Sequence, residues 1–469
     1  ERDAADNKIE MLPIGIGKLT NLEALDIQRN GCLRPPKGTQ QKGPVAVVEY
    51  LQRVAHAEKR KLLDLSDFGL TTFPVDAVAL GNMTELNLSN NTVASVPGEI
   101  VALTRVVVLR LAENSIRKLS SVVGKLTTLE TLDLKNNSLE TLPPTFPHLA
   151  NLLHLDVSGN QFCIFPSELE KLTQIEHLNL TENQLTRIPV WMGAYAKMNA
   201  VLLGGNGLST VPNSIGGMGP LVLSTVNLSN NGLLKVPSAL CGVLTLKRCT
   251  FSGNALNELP AQIGRLVHLE ELWVDSNQLA RLPPSINGWK SLTALYLHNN
   301  KLQALPRVIV ELEGLAVLTL SSNELSDLPW NLPVLTNLEE LWLDSNKLSL
   351  LPQGLESMPN VKDFTCKNNE FEGKELQRAN DLMERFENTQ VSKILATKRK
   401  EEERAAMQAR MPEHTAVESV DDRDPRELEL EQLRDELEEA MRNDNLEAAQ
   451  EIQEKLDAFE AEGREDEED

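Results

Sequence analysis

One string of residues, Leu-x-x-Leu-x-Leu-x-x-Asn-x-Leu, recurs along most of the chain, and nearly every copy begins 23 residues after the previous one. Its Asn falls at Asn30, Asn91, Asn114, Asn137, Asn160, Asn183, Asn206, Asn231, Asn254, Asn277, Asn300, Asn323, Asn346 and Asn369. A partial copy surrounds Asn7, and Phe68 stands at the Asn position of one further copy. A period of roughly 20 to 29 residues predicts stacked coils, each supplying one short strand and one return segment.

The residue types of the repeat have separate physical roles. In Leu-x-Leu, as at Leu132 and Leu134, strand alternation points both Leu side chains inward and leaves the residue between them on the open face. The Asn side chain has donor and acceptor atoms, so it can satisfy backbone groups inside the turn, a role that Phe68 cannot fill. A Leu-Pro pair such as Leu142 and Pro143 then ends the strand and begins the outer segment.

This pattern is the signature of leucine-rich repeats. It predicts an α/β fold, a right-handed horseshoe-shaped solenoid of 23-residue repeats covering residues 1–371. We expect its strands to form one uninterrupted parallel sheet of about fifteen strands, with each coil stabilised by its neighbours.

Two steps depart from the period. The step from Asn30 to Phe68 is 38 residues, and the extra segment predicts a helical insertion at about 37–59 on the outer or lateral face. Pro44 suits a first helical position, and the helix would bury one face made of Val47, Leu51, Val54 and Ala55. The step from Asn206 to Asn231 is 25 residues, and its turn-rich stretch 216–220 allows a slight kink.

The repeats end after Phe371. Residues 372–410 have a helical pattern and predict a C-terminal cap, with Leu376, Leu382, Met383 and Phe386 over the last coil. The further segments are a linker at 411–425, an acidic helical hairpin at 426–463 and an acidic tail at 464–469. Residues 400–469 hold 9 basic and 27 acidic residues, so most of the net charge of −22 lies there. Such a tail disfavours binding to nucleic acid or anionic lipid.

The remaining composition limits compartment and chemistry. The five cysteines lack paired spacing, which argues against a disulfide framework or zinc site and favours a reducing compartment. No apolar run is long enough for a membrane-spanning helix, and the first ten residues do not have the pattern of a signal peptide. Phosphate-loop, zinc-protease and serine-hydrolase motifs are absent from the sequence, so we predict a non-enzyme without cofactor or metal.

The open face carries the candidate binding residues. In four successive repeats, the position between the two inward strand residues is occupied by Trp273, Tyr296, Thr319 and Trp342. Three of these four residues are therefore aromatic. We expect these rings to form an exposed stripe, a composition typical of binding hot spots. Its acidic rim would consist of Glu271, Asp275, His298, Glu340 and Asp344. The alternative interpretation is that each Trp only shields a neighbouring strand.

A second polar patch is predicted upstream on the same face. It consists of Asp133, His154, Asp156, His177 and Asn179, from three consecutive strands. Two His and two Asp make a metal site conceivable, but their spacing does not close a coordination shell. We therefore treat the patch as a secondary polar subsite.

Two family resemblances extend these expectations. Repeats such as LPPSINGWKSLTALYLHNNKLQALP resemble the intracellular Ras-group leucine-rich repeat proteins, a set that includes the plant intracellular, Shoc and scribble types and leucine-rich repeat-containing protein 40. The insertion strengthens the last likeness, because Gln41, Lys42 and Gly43 precede Val47, Tyr50 and Leu51 as in that protein's helix. The resemblance implies a scaffold whose protein partner is a small GTPase, phosphatase or other signalling protein.

The hairpin resembles the UVR motif of bacterial excision-repair subunits, Clp-protease regulators and some plastid proteins. Asn445, Leu446, Glu447 and Ala449 match its D-F-E-x-A, whereas Gln450, Gln453 and Glu454 depart from it. Together these observations predict a cytoplasmic scaffold in intracellular signalling that binds a protein on its concave face. Two alternatives stay open: the regulatory region of an enzyme whose N-terminal part precedes Glu1, and a plastid stromal adaptor acting through the hairpin.

Overall fold

The computed structural model describes residues 2–19, 21–31, 34–219 and 221–387 of the 469-residue chain. Its strands are β1 Arg2–Asp3, β2 Leu25–Asp26, β3 Leu62–Asp64, β4 Glu85–Asn87, β5 Val108–Arg110, β6 Thr131–Asp133, β7 His154–Asp156, β8 His177–Asn179, β9 Ala200–Leu202, β10 Thr225–Asn227, β11 Arg248–Thr250, β12 Glu271–Trp273, β13 Ala294–Tyr296, β14 Val317–Thr319, β15 Glu340–Trp342 and β16 Asp363–Thr365. The α-helices are α1 Lys37–Gln41, α2 Pro44–Arg60, α3 Val75–Ala79 and α4 Gly373–Glu387.

Short 3-10 helices form most of the return segments between strands. They span Ile14–Lys18, Gly98–Ala102, Ser121–Lys125, Phe146–His148, Ser167–Lys171, Val190–Ala194, Asn213–Gly217, Ser238–Gly242, Ala261–Arg265, Pro284–Gly288, Arg307–Glu311, Leu332–Val334 and Leu355–Ser357. Many start directly after the recurring Pro, as at Pro189 and Pro260, whose extended backbone ends the preceding turn. This geometry confirms the predicted alternation of one strand and one return segment in each coil.

The strands form two parallel sheets. Strands β3 to β16 make one 14-stranded sheet in sequence order, while β1 and β2 pair separately as a two-stranded sheet. The leucine-rich solenoid is therefore confirmed, but the prediction of an uninterrupted sheet is wrong at one junction. Helix α2 packs against both β2 and β3, so it lies where the strand pairing is interrupted.

Each coil buries its Leu side chains between its neighbours. Leu132 and Leu134 are fully buried, and Asp133 between them lies on the other face of the sheet. Asn137 closes the same coil, because its Nδ2 donates to Leu111 O and Leu134 O, both at 3.0 Å. Asn30 and every recurring Asn from Asn91 to Asn369 make the same type of bond to their own and the preceding coil. These asparagines, which we call the Asn row, thus satisfy backbone groups that packing removes from water.

Phe68 replaces this polar bridge with an apolar anchor for the insertion. It is buried, and its ring meets that of Tyr50 edge to face with centroids 5.7 Å apart. Its carbonyl oxygen accepts a hydrogen bond from the Thr39 hydroxyl at 3.1 Å. The coil that lacks the Asn is therefore the coil that holds the inserted helices.

The insertion contains the predicted helix beginning at Pro44. Val47, Leu51 and Val54 are buried as expected, and Ala55 is half-buried. The helix packs against the 3-10 segment of the first coil as well as against β2 and β3. A buried polar cluster fastens this region to the next return segment: Tyr50 Oη donates to Asp76 Oδ2 at 2.8 Å, and Arg34 pairs with Asp76 Oδ1.

The 25-residue step is absorbed outside the sheet. Val201 and Val226 remain register partners across β9 and β10, although two additional residues separate them. Asn231 still reaches the preceding coil, donating to Leu203 O at 3.0 Å. The extra residues therefore lie in the return segment, where Gly219 adopts a left-handed backbone with φ of 44°.

Helix α4 packs on the last coil of the described region. Ala379, Leu382 and Phe386 are buried, and the Phe386 ring lies 6.0 Å from that of Phe364 in β16. Met383 is partly buried against the core, whereas Leu376 is 46% exposed, so its predicted role in covering the coil is wrong. Leu376 lies in the first turn of α4, and the contacts with β16 are made farther along the helix.

The remaining C-terminal predictions lie outside the described residues. They are the rest of the cap at 388–410, the linker at 411–425, the hairpin at 426–463 and the tail at 464–469. Within the described part of the chain, no helix combines the length and the apolar character that crossing a membrane requires.

Candidate functional site

The outward-facing last residues of strands β3 to β16 form one continuous row across the 14-stranded sheet. Strand register places them side by side in the order Asp64, Asn87, Arg110, Asp133, Asp156, Asn179, Leu202, Asn227, Thr250, Trp273, Tyr296, Thr319, Trp342 and Thr365. We call this set the central row. Its first six residues are polar or charged, and its second half contains the three aromatic residues, so the two predicted patches are parts of one surface.

Trp273 and Tyr296 are direct register partners on β12 and β13. Their rings are stacked, with centroids 3.4 Å apart and planes 15° from parallel. Thr319 and Trp342 continue the row on β14 and β15. The sequence period therefore placed the aromatic side chains correctly in one line.

The expected exposure of these rings is wrong. Trp273, Tyr296 and Trp342 are 7%, 9% and 6% exposed, and Thr319 between the last two is fully buried. Adjacent strands lie only about 4.8 Å apart, so large side chains in one row cover each other's faces. The alternative interpretation, that a Trp shields its neighbouring strand, describes the packing of Trp273 against Tyr296.

These rings nevertheless do not belong to the main core. Trp273, Ala294 and Tyr296 form a separate apolar cluster with the half-buried Val317, on the opposite side of the sheet from the Leu residues. We call these four residues the outer cluster. The solenoid core is already filled by the inward Leu and Val side chains. The outer cluster is therefore a second apolar group, on the opposite face of the sheet.

The residues of the predicted acidic rim lie on the strands of the outer cluster, on the neighbouring strand β15 or in the turns that follow them. Asp275 accepts a hydrogen bond from Ser252 Oγ at 2.5 Å, and its other oxygen lies 3.4 Å from His298 Nε2. His298 Nδ1 lies 3.1 Å from Thr319 Oγ1, so the imidazole bridges the rim and the central row. Glu271 and Glu340 are half-buried on strands β12 and β15.

A groove opens beside Trp342 near the ends of strands β13 to β16. Its volume is about 400 Å³, and its lining residues are His298, Asn299, Ser321, Ser322, Trp342, Asp344 and Thr365. We call it the Trp342 groove. It contains three of the predicted site residues, His298, Trp342 and Asp344. The sequence interpretation missed the hydroxyl residues, although the 23-residue period alone places Thr365 beside Trp342.

The second predicted patch is also assembled by the strand register. The imidazole rings of His154 and His177 stack with centroids 4.7 Å apart and planes 21° from parallel. Asp156 is buried, and it accepts hydrogen bonds from Ser158 Oγ at 2.6 Å and Asn179 Nδ2 at 2.8 Å. This hydrogen bonding fixes the orientation of the Asp156 carboxylate within the sheet surface.

Burial perturbs the titration of this patch. It raises the pKa of Asp133 to about 6, with a further contribution from the adjacent carboxylate of Asp156. Burial also raises the pKa of Asp156, against the opposing hydrogen bonds from Ser158. The pKa of His177 is lowered to about 4, first by burial and second by His154. The patch therefore holds groups whose charge is disfavoured by their surroundings.

Metal binding has no geometric support in this part of the molecule. Among the described residues, no group of three or more His, Cys, Asp or Glu side chains is placed to hold a metal ion. The two imidazoles stack face to face, and Asp156 is already engaged by Ser158 and Asn179. The arrangement suits hydrogen bonding better than ion coordination.

Comparison with solved structures identifies proteins of similar fold. A leucine-rich repeat protein of Leptospira interrogans superposes with a TM-score of 0.68 and 28% identity, covering 81% of this chain and 93% of that one. The receptor kinase ectodomain GASSHO1/SCHENGEN3 of Arabidopsis thaliana, in complex with CASPARIAN STRIP INTEGRITY FACTOR 2, has a TM-score of 0.54 and 22% identity, with coverages of 78% and 49%. The plant peptide hormone receptor RGFR1, in complex with RGF2, has a TM-score of 0.56 and 23% identity, with coverages of 81% and 63%.

Comparison with known sequences identifies the family. No curated protein matches the chain. The family model described as a leucine-rich repeat region matches residues 108–190 and 239–420, which together are more than half of the chain. The repeated strands, the Asn row and this match agree, and the chain belongs to the leucine-rich repeat family.

Proposed function

We propose that this protein is a non-enzymatic scaffold that binds a protein partner on the concave face of the solenoid, at strands β12 to β16. The observation that carries the proposal is the outer cluster, an apolar group of Trp273, Ala294, Tyr296 and Val317 that is separate from the core. Aromatic residues are enriched at the centres of protein interfaces, where their rigid rings lose little entropy on binding.

Because the rings are packed rather than exposed, their contribution to binding would differ from that of exposed aromatic side chains. Trp273 and Tyr296 are already ordered by stacking, so a partner would meet a preformed platform. Preorganisation lowers the entropic cost of association. The half-buried carboxylates of Glu271 and Glu340 border this platform and would influence association rate and salt dependence.

Finer expectations follow from the resemblance in the repeats. We infer a scaffold of the intracellular Ras-group type, with a small GTPase, phosphatase or other signalling protein as partner and the cytoplasm as its location. The two plant receptors with similar folds are described in complexes named for CASPARIAN STRIP INTEGRITY FACTOR 2 and RGF2. These complexes support the use of such a solenoid as a binding surface, without indicating this partner.

Affinity capture followed by mass spectrometry tests the proposal. The bait would be the intact chain, compared with the double variant Trp273→Ala/Trp342→Ala. Because truncating an interface anchor costs about 2 kcal/mol or more, capture of the partner should fall at least tenfold. Trp330→Ala is the matched control, since Trp330 is 78% exposed on a return segment. Capture that is undiminished in the double variant, with unchanged circular dichroism, would reject the sheet face as the site.

A second comparison addresses the C-terminal hairpin. A chain ending at residue 420 lacks the segment that resembles a UVR motif. If the solenoid alone binds the partner, this truncation should capture the same protein as the intact chain. If the intact chain captures the partner and the truncated chain does not, the contact is made by residues 421–469.

A further inference from the structure

The Trp342 groove combines an aromatic ring at the end of strand β15 with a carboxylate in the turn that follows it. Trp342 and Asp344 are two residues apart, so their side chains leave the same side of the sheet. Asp344 Oδ1 accepts a hydrogen bond from the backbone N–H of Lys367 at 2.6 Å, which orients the carboxylate. An aromatic ring next to an oriented carboxylate is a favourable environment for a cation.

The other lining residues supply mainly oxygen acceptors. Ser321, Ser322 and Thr365 contribute hydroxyl groups, and Asn299 contributes a side-chain amide. His298 closes one side, where Asp275 and Thr319 fix its ring nitrogens. The groove volume of about 400 Å³ falls in the range of small-ligand pockets. This lining suits a side chain with many N–H donors.

The charge around the groove is mainly negative over five strands. The outward positions of β12 to β16 and the turns that follow them carry the carboxylates Glu271, Asp275, Glu340, Asp344 and Asp363. Lys367 is the one lysine at these positions, and none of them is an arginine. A field of this sign attracts cationic groups and repels anionic ones.

From these observations we propose that the Trp342 groove accepts an arginine side chain of the bound protein, an inference that rests on the proposed function of the sheet face. The planar guanidinium has five N–H donors, stacks on aromatic rings and pairs with carboxylates in two parallel hydrogen bonds. Trp342 supplies the ring, Asp344 the carboxylate, and the three hydroxyl residues the additional acceptors.

Nuclear magnetic resonance of the intact chain tests this inference with a defined probe. The probe is the tripeptide acetyl-Gly-Arg-Gly-amide at millimolar concentration. Its matched controls carry citrulline, which is neutral and nearly isosteric, or lysine. The five indole N–H signals arise from Trp191, Trp273, Trp289, Trp330 and Trp342. The Trp342→Phe variant assigns the signal of interest by its loss.

The expected result is a saturable shift of the Trp342 indole signal with the arginine peptide, with affinity about tenfold weaker for the citrulline peptide. Equal shifts with arginine and citrulline would overturn the inference, because the charge would then have no role. Equal affinity for lysine and arginine would also overturn it, since the groove would not select a guanidinium. The absence of a saturable shift with the arginine peptide would overturn it directly.

Two protein variants localise the effect. Asp344→Asn retains an oxygen for the Lys367 N–H and removes the charge, so it should weaken arginine binding about tenfold. Asp327→Asn removes an exposed charge from the return side and should leave binding unchanged. Equal binding by Asp344→Asn and the original chain would reject the groove assignment.

Partner capture separates this inference from the proposed function. If Trp273→Ala/Trp342→Ala loses the captured protein while the arginine and citrulline peptides behave alike, the sheet face binds a protein and the arginine assignment is wrong. If the arginine peptide binds as expected but the double variant captures as much partner as the original chain, the groove does bind arginine. The sheet face is then not the site that binds the captured protein.

Discussion

The Tyr50 hydroxyl donates a hydrogen bond to Asp76 Oδ2 at 2.8 Å, joining the inserted helix α2 to the return segment of the following coil. Arg34 approaches the same carboxylate through its guanidinium, and Asp76 is 1% exposed. A buried charge is tolerated only where such partners satisfy it. The inserted helices are therefore tied to the repeats by a specific polar contact as well as by apolar packing.

Tyr50→Phe tests this contact. The substitution keeps the ring and removes one donor from the buried carboxylate, so the free energy of unfolding should fall by about 1.5–3 kcal/mol. Chemical denaturation followed by circular dichroism measures the change. Lys347→Ala is the control, because its ion pair with Glu324 is exposed and should contribute no more than about 1 kcal/mol. An unfolding midpoint for Tyr50→Phe equal to that of Lys347→Ala would show that Tyr50 contributes only its ring.

Gly38→Ala should also destabilise the insertion. An added Cβ would lie 1.7 Å from the carbonyl oxygen of Gly69, which is backbone and cannot rotate away. Overpacking of this kind typically costs about 1–3 kcal/mol. Thermal melting of Gly98→Ala provides the comparison, since an added Cβ there meets no heavy atom within 4 Å. Equal melting temperatures for the two variants would contradict the close approach of α1 to the coil of Phe68.

Leu180→Ala tests the register of the repeats. Leu180 is fully buried, and its removal should cost about 2–5 kcal/mol through lost apolar contacts and the cavity that remains. The matched substitution is Leu221→Ala, because Leu221 is 84% exposed. Denaturant titration should show a loss for Leu180→Ala only. A change at position 180 below measurement error would mean that this Leu does not face the core.

Asp133→Asn should change how stability depends on pH. The pKa of Asp133 is raised to about 6 in the folded chain, above the unfolded value of about 3.9. The folded state therefore binds the proton more tightly, so stability falls as pH rises through this window. The Asn variant lacks this loss, so its melting temperature should exceed that of the original chain above about pH 6 and approach it below about pH 4. A difference that did not vary with pH would exclude titration of Asp133 as its cause.

His177→Gln should show the opposite trend. Burial and His154 lower the pKa of His177 to about 4, below the unfolded value of about 6.5. The neutral form is favoured in the folded chain, so stability is present above pH 6.5 and is lost as pH falls towards about 4. Removing the imidazole should reduce this loss. Melting temperatures over the same pH series measure it, and a His177 resonance that titrates near its unfolded pKa would contradict the expectation.

The sequence predicted the arrangement of the open sheet face better than its exposure. Because the coils repeat every 23 residues, Trp273 and Tyr296 had to meet across adjacent strands, and they do. Their burial depends on side-chain rotamers within the row, which a repeat pattern does not specify. Likewise, the helical pattern within the insertion at about 37–59 predicted α2, but not that this helix would replace strand pairing between β2 and β3.

The C-terminal helix illustrates the same limit. Leu376, Leu382 and Phe386 follow a helical period, but only the last two are buried. The direction in which α4 crosses the last coil decides which turns make contact, and local spacing contains no information about that direction. Asp133 and Asp156 show the converse case, because the period alone brought both carboxylates to neighbouring positions.

The break between β2 and β3 divides the described repeats into two blocks of unequal length. Strands β3 to β16 share one backbone hydrogen-bond ladder, whereas β1 and β2 share another. Opening of the short block would therefore leave every backbone bond of the long sheet intact, and its amides should exchange with deuterium earlier than those of β6 to β12. A first, local unfolding step that opens β1 and β2 would then end at helix α2.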